Sequence, residues 1–171
     1  MQLTSAENTH QNLLEKWRKA MDLVGPGPLA PHFADAKQAV SWIPAKGRWL
    51  DLGAGAGFPG IALAARHPNA QVQLVESRQK RALFLRQVIR ESGLSNAEVL
   101  HLRVENLPEG EASGVISRAY KPPIEALKDA KRLLQVSGIA VLLIAKQEAP
   151  ELSGMALFHV ERYSVDGKSR R

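Results

Sequence analysis

Apolar positions recur at helical spacing through the first part of the chain. Between Ser5 and Val24, the residues Leu13, Leu14, Trp17, Met21 and Val24 fall on one face, opposite Glu15, Arg18, Lys19 and Asp22, which predicts an amphipathic helix. GPGPLAP, from Gly25 to Pro31, interrupts that period as a connector. A second helix is predicted over 31–43, with a proline at its start, Phe33, Ala36, Val40 and Ile43 as its apolar face, and Pro44 behind it.

From Gly47 onward the pattern changes to short apolar runs separated by helical stretches. Strands are predicted at 48–53, 71–76, 97–102, 113–119 and 139–145, with helices at 59–67, 78–92 and 123–134. The alternation in MALFHVERYSV, 155–165, predicts a sixth strand. Strands alternating with helices give an α/β fold with a mostly parallel sheet and helices on both faces. At 171 residues the chain has room for one such domain, with helices in 1–46 ahead of an α/β core in 47–171.

Composition narrows the chemistry. The chain has no cysteine, which removes disulfide frameworks, thiolate metal sites and cysteine nucleophiles. Lys and Arg number 23 against 17 Asp and Glu, a formal net charge of +6, and that balance favours an acidic or phosphate-bearing partner. No apolar run approaches the roughly 18 residues of a membrane span, and no basic start leads into an apolar segment. The expectation is a cytoplasmic protein, monomeric, with no membrane partner and no metal.

The most informative stretch is WLDLGAGAGFPG, where a strand runs into a glycine-rich turn and then a helix opened by Pro59. Glycines at 53, 55 and 57 permit positive φ and remove side-chain bulk, so backbone can approach a ligand there. Gly55, Gly57 and Gly60 also fit the dinucleotide pattern G-x-G-x-x-G, and Glu76 ends the next strand about 20 residues later. The turn alone therefore suits either a nicotinamide cofactor or S-adenosylmethionine. Asp51 leans toward the second, because a carboxylate at the strand mouth would repel a pyrophosphate and favour an ammonium and a sulfonium. Glu76 suits the ribose diol of both. Asp51 capping the turn and Glu76 as a solvated strand end are the simpler alternatives.

WLDLGAGAGFPGIALA, LVESRQKRALFLRQV, RVENLP and VISRAY together resemble, in order and spacing over about residues 13–147, the bacterial small-subunit ribosomal RNA guanine-N7 methyltransferase family, also called glucose-inhibited division protein B. The resemblance implies a class I, Rossmann-like methyltransferase fold, S-adenosylmethionine as donor, and a guanine N7 of 16S ribosomal RNA as acceptor. It also implies cofactor contacts at Gly53, Phe58, Val104, Glu105 and Arg118, with the adenine edge read at Val104 and Glu105 and the ribose held by Glu76. No residue is assigned as a catalytic base. A methyltransferase-like RNA-binding module and a nicotinamide-dependent oxidoreductase are the competing classes.

Two sets of cations are candidates for holding RNA. Arg78, Lys80, Arg81, Arg86 and Arg90 share one predicted helix, where plotting at about 100° per residue sets Arg86 and Arg90 away from the apolar arc and Arg81 within it, paired near the sheet. Lys121, Lys128, Lys131, Lys146, Lys168, Arg170 and Arg171 form the second. Tyr120 is placed either to stack on a flipped guanine or to cap the pocket.

Overall fold

Strand parity divides the apolar residues into two cores. The computed structural model describes residues 2–144, 148–157, 159–160, 163–165 and 168–170. Five strands form one sheet: β1 (Gly47–Leu52), β2 (Ala70–Val75), β3 (Ala97–Leu100), β4 (Ala112–Arg118) and β5 (Leu134–Leu143). Its order is β3-β2-β1-β4-β5 and every pairing is parallel. Side chains alternate between faces along each strand, so Trp49, Val72, Leu74 and Ile116 meet one core while Leu50, Leu52, Val75 and Val115 meet the other.

The first face is covered by α1 (Ser5–Met21), α2 (Ala30–Val40), α3 (Gly60–Arg66) and α4 (Gln79–Ser92), through residues such as Leu14, Phe33, Ile61 and Phe84. Full burial of side chains of that size stabilises by roughly 1.5–3 kcal/mol each. On the second face α5 (Pro123–Leu133) supplies Ala130 and Leu133, and a 3-10 turn at Val104–Asn106 supplies Val104. Beyond α5 that face turns polar: Arg48 Nε donates to Gln73 Oε1 at 2.7 Å, Gln73 Nε2 donates to Glu98 Oε1 at 2.6 Å, and Arg48 pairs with Glu111.

Each strand of the sheet lies close to its predicted place, with one departure. β5 begins at Leu134, five residues before the predicted strand, because Leu134 pairs with Ala112 ahead of a register irregularity. Ser137 takes a positive φ of 67° in that stretch, and its polar neighbours hide the strand from an apolar pattern. The predicted sixth strand is corrected. Tyr163–Val165 (β6) pairs antiparallel with Lys168–Arg170 (β7) in a separate two-stranded ribbon. Residues 155–157 and 159–160 are not strand, and 158, 161 and 162 lie outside the described residues.

Helix α1 is tied to the core by more than its apolar stripe. Thr4 and Glu7 form a capping box, with the Glu7 N–H donating to Thr4 Oγ1 at 3.2 Å and the Thr4 N–H donating to Glu7 Oε2 at 2.8 Å. Glu7 is buried and also takes both arms of Arg66, Nε to Oε1 at 2.9 Å and Nη2 to Oε2 at 2.6 Å. The N-terminal turn of α1 is thus clamped to the C-terminal end of α3.

Packing against β1 leaves no room on β4 at Gly114, which is the register partner of Trp49. A Cβ there would lie 2.2 Å from the indole. Gly114→Ala is therefore expected to lower stability by about 1–3 kcal/mol or more, read as a lower urea midpoint at unchanged slope.

Candidate cofactor site

The strand order reverses direction between β1 and β4, and in open α/β sheets ligands bind in the crevice at the carboxyl ends of the strands at such a point. There β1 runs into the glycine-rich turn, where Gly53, Gly55 and Gly57 have φ of 67°, 55° and 95°. Positive φ is strained for other residues, so all three glycines are required by the backbone itself.

The turn is braced from three elements. Glu76, which follows β2 and is 5 % exposed, accepts the Gly55 N–H through Oε2 at 2.9 Å and the Arg78 N–H through Oε1 at 2.7 Å. Asp51 of β1 accepts the Gly60 N–H through Oδ2 at 2.9 Å. His10 of α1 reaches the Ala56 carbonyl with Nε2 at 2.6 Å. Within the turn, the Gly57 N–H donates to the Ala54 carbonyl at 2.7 Å.

Beside the turn opens a cavity of about 440 Å³ walled by Gly53, Glu76, Arg78, Val104, Glu105 and Tyr120, among others. That volume falls within the roughly 300–1,000 Å³ of small-molecule sites. Four of the sequence-predicted residues thus meet at one cavity: Gly53, Glu76, Val104 and Glu105. Val104 is buried, whereas Glu105 is exposed at the rim and pairs with Lys121 Nζ at 3.0 Å. Its own backbone N–H and Lys121 hold the Glu105 carboxyl below the usual range. The solvated-strand-end alternative for Glu76 does not hold, since the side chain is buried and doubly bonded.

Asp51, Phe58 and Arg118, also expected at the cofactor, do not line this cavity, for a simple reason. Asp51 shares the parity of Trp49, and Arg118 that of Ile116, so both point toward the helices of the first core. Asp51 lies beneath the turn rather than at the strand mouth, and it caps α3 as the simpler alternative held. Burial pushes its carboxyl up to about 7 against the opposing pull of the Gly60 N–H and Arg118, and its Oδ1 has no hydrogen-bond partner among the described residues. The Arg118 guanidinium donates to Asp35 Oδ2 at 3.1 Å and lies 4.8 Å over the Phe58 ring. Tyr163 donates to the other Asp35 oxygen at 2.7 Å, so α2 and the C-terminal ribbon both fix the arginine. Phe58 is buried against Phe33, His10 and His32, with ring centroids 4.9, 4.8 and 5.6 Å away.

Tyr120 lies in the cavity wall with its ring against Gly53. A Cβ on Gly53 would lie 2.7 Å from its ring, and its hydroxyl donates to Asp129 at 3.2 Å. Lys121 joins the same carboxylate at 2.8 Å, which with the Tyr120 bond raises its pKa. On α4, Arg78, Lys80 and Arg86 are exposed and carry no ion pair among the described residues. Arg81 donates to the Asp22 carbonyl at 2.8 Å, beside Gly55 rather than out toward solvent. The three described side chains of the second predicted set are engaged: Lys121 by two carboxylates, Lys128 by Glu125, and Lys131 by the Ser153 carbonyl. Lys146, Arg171 and the side chains of Lys168 and Arg170 lie outside the described residues.

The family model for rRNA small subunit methyltransferase G, GidB, matches residues 4–165. The chain belongs to this family. It is 36% identical over 150 residues to the ribosomal RNA small subunit methyltransferase G of Paracoccus denitrificans, covering 85% of this chain and 78% of that one. To the same enzyme of Erythrobacter litoralis it is 35% identical over 169 residues, covering 92% and 76%. Among solved structures, an S-adenosylmethionine-dependent methyltransferase from Aquifex aeolicus superimposes with a TM-score of 0.62 over 99% of this chain and 96% of that one, at 16% identity. The shared fold is that of class I S-adenosylmethionine-dependent methyltransferases.

Asp51 makes a testable contribution to stability. Its ordinary pKa of 3.8 rises to about 7 in the folded chain, so between those values the folded state holds a proton that the unfolded state has lost. The contribution of Asp51 to stability is therefore full below the lower value, falls as pH rises through the window, and is level above it. Asp51→Asn keeps an acceptor for the Gly60 N–H but does not ionise. Relative to the parent it is expected to gain on the order of a few kcal/mol as pH rises across this window, measured by urea denaturation. Parallel pH profiles for the two proteins would contradict the assignment.

Proposed function

We propose that the chain binds S-adenosylmethionine in the cavity beside the glycine-rich turn and methylates N7 of a guanine in 16S ribosomal RNA. The observation that carries this reading is the convergence of Gly53, Glu76, Val104 and Glu105 on one cavity at the β1/β4 switch point, in a chain of the small-subunit methyltransferase G family. S-adenosylmethionine supplies, when bound, a methyl group activated by a sulfonium.

The residues fit that group. Glu76 already accepts one N–H on each oxygen, and each oxygen keeps a further lone pair for a ribose hydroxyl. Val104 offers an apolar surface for an adenine ring, with Glu105 at the rim for its polar edge. Asp51, with one oxygen unpartnered and its charge disfavoured by burial, favours a cationic neighbour over an anionic one. A pyrophosphate at the turn would lie above this buried acid, and like charges repel, which argues against a nicotinamide cofactor.

Guanine N7 has a free lone pair and carries no proton. The methyl group passes from sulfur to N7 with nothing for a base to remove, so the chain's task is to position the two atoms in line and keep water out. Arg118, held by Asp35 at the end of β4, and Phe58, under its guanidinium, do not touch the cavity and are positioning residues in this reading. The exposed cations Arg78, at the start of α4 and in the cavity wall, and Lys80 and Arg86 on α4 are assigned to phosphate contacts in this reading.

The experiment is incubation of the protein with methyl-labelled S-adenosylmethionine and either naked 16S RNA or 30S particles, followed by mapping of N7-methylguanine. Label at an exocyclic amine, or none with intact substrate binding, would overturn the reading. Lys80→Ala with Arg86→Ala is expected to weaken RNA binding without altering cofactor affinity. The salt dependence should become shallower by about 1 logarithmic unit per lost contact, read from filter binding across a salt series.

A further inference from the structure

Among the inward-facing positions of α1, two are polar. Ala6, Leu13, Leu14, Trp17 and Met21 mark the apolar stripe, and Glu7 and His10 lie on it, both fully buried. Glu7 is accounted for by Arg66 and the capping box. His10 sits instead among the rings of Phe33, Phe58 and Phe84, with centroids 5.3, 4.8 and 6.1 Å away. Any aromatic side chain would fill such a place, and a buried imidazole is worth its desolvation only where a polar partner waits.

That partner is the carbonyl of Ala56, 2.6 Å from Nε2. A carbonyl only accepts, so the ring carries its proton on Nε2; burial lowers its pKa to about 4 and keeps the ring neutral. The turn's own backbone bonds use the Ala54 carbonyl and the N–H groups of Ala54, Gly55 and Gly57. Among the described residues none reaches the Ala56 carbonyl, which without His10 would be left buried and unpaired. Gly57 is held as closely, since a Cβ there would lie 3.1 Å from Nε2.

We propose that His10 is a positioning residue for the cofactor turn: helix α1, outside the sheet, fixes the turn in its binding shape through the Nε2–Ala56 hydrogen bond. This rests on the reading that the turn binds S-adenosylmethionine. Two further ties make α1 a rigid bracket around it. Glu7 pins the start of α1 to Arg66 at the far end of α3. At the other end Arg81, whose guanidinium lies near Gly55, donates to the carbonyl of Asp22 at the C-cap of α1. The turn therefore has a hydrogen-bonded support on the helical side as well as the carboxylates of Asp51 and Glu76 below it.

The test compares the full chain with His10→Phe and His10→Gln by calorimetric titration with S-adenosylmethionine, alongside melting temperature. Phenylalanine keeps the ring packing and removes the donor; glutamine restores a donor at similar reach. Affinity is expected to fall about tenfold in His10→Phe and to recover in His10→Gln, although the glutamine packs worse and should melt lower. Unchanged affinity in His10→Phe, or equal loss in both variants, overturns the proposal. If the unsubstituted chain does not bind S-adenosylmethionine, the cofactor reading fails instead. Should His10→Phe not fold, hydrogen exchange of the unsubstituted chain decides. Coupling is reciprocal, so the cofactor must slow exchange in α1 around residue 10 as well as in the turn, and unaltered exchange in α1 rejects the bracket.

Discussion

A turn as tight as Gly53–Gly57 buries backbone polar groups that cannot all pair with one another, and satisfying them is the constraint on which this site depends. Each group left unpaired costs roughly 1–3 kcal/mol, a large share of a typical domain's net stability. The Gly55 N–H finds Glu76, the Gly60 N–H finds Asp51, and the Ala56 carbonyl finds His10. These partners come from β2, β1 and α1. Register brings the first two together, since Leu52 pairs with Val75 and so sets Glu76 beside Gly53. The third requires α1 to be seated on α3 and α4, which its apolar stripe and the Glu7–Arg66 pair accomplish.

What could be read from the chain divides along the range of the interactions. The sheet strands and helices were legible because each is announced by local period, and the three positive-φ glycines because the G-x-G-x-G spacing demands them. Glu76 was legible as a residue beside the turn, where it lines the cavity, but its brace on Gly55 was not, because that bond joins residues 21 apart. Asp51, Phe58 and Arg118 were placed near the site by motif and away from the cavity wall by strand parity and helix packing, which a motif does not encode. His10 left a weaker trace: a polar residue at a position where the period of α1 calls for an apolar one. The early start of β5 left none, because Gln135 and Ser137 interrupt the apolar run.

The same braces settle how the site carries charge. Two carboxylates near each other in a dry interior repel, and burial raises the cost of ionising both. Glu76 accepts two backbone N–H groups, whereas Asp51 accepts one and has an oxygen with no hydrogen-bond partner among the described residues. Burial opposes the ionisation of Asp51, although the Gly60 N–H and Arg118 pull the other way. A site built in this manner gains from a cation and loses from an anion. Lys80 and Arg86, exposed on α4, do not line the cavity. Within a formal net charge of +6, the buried acids Asp51 and Glu76 at the turn are thus separate from the exposed Lys80 and Arg86 of α4. Separation lets one chain favour a cationic cofactor and a polyanionic substrate at once, because at physiological ionic strength surface fields are screened beyond about 8 Å while the buried pair is not.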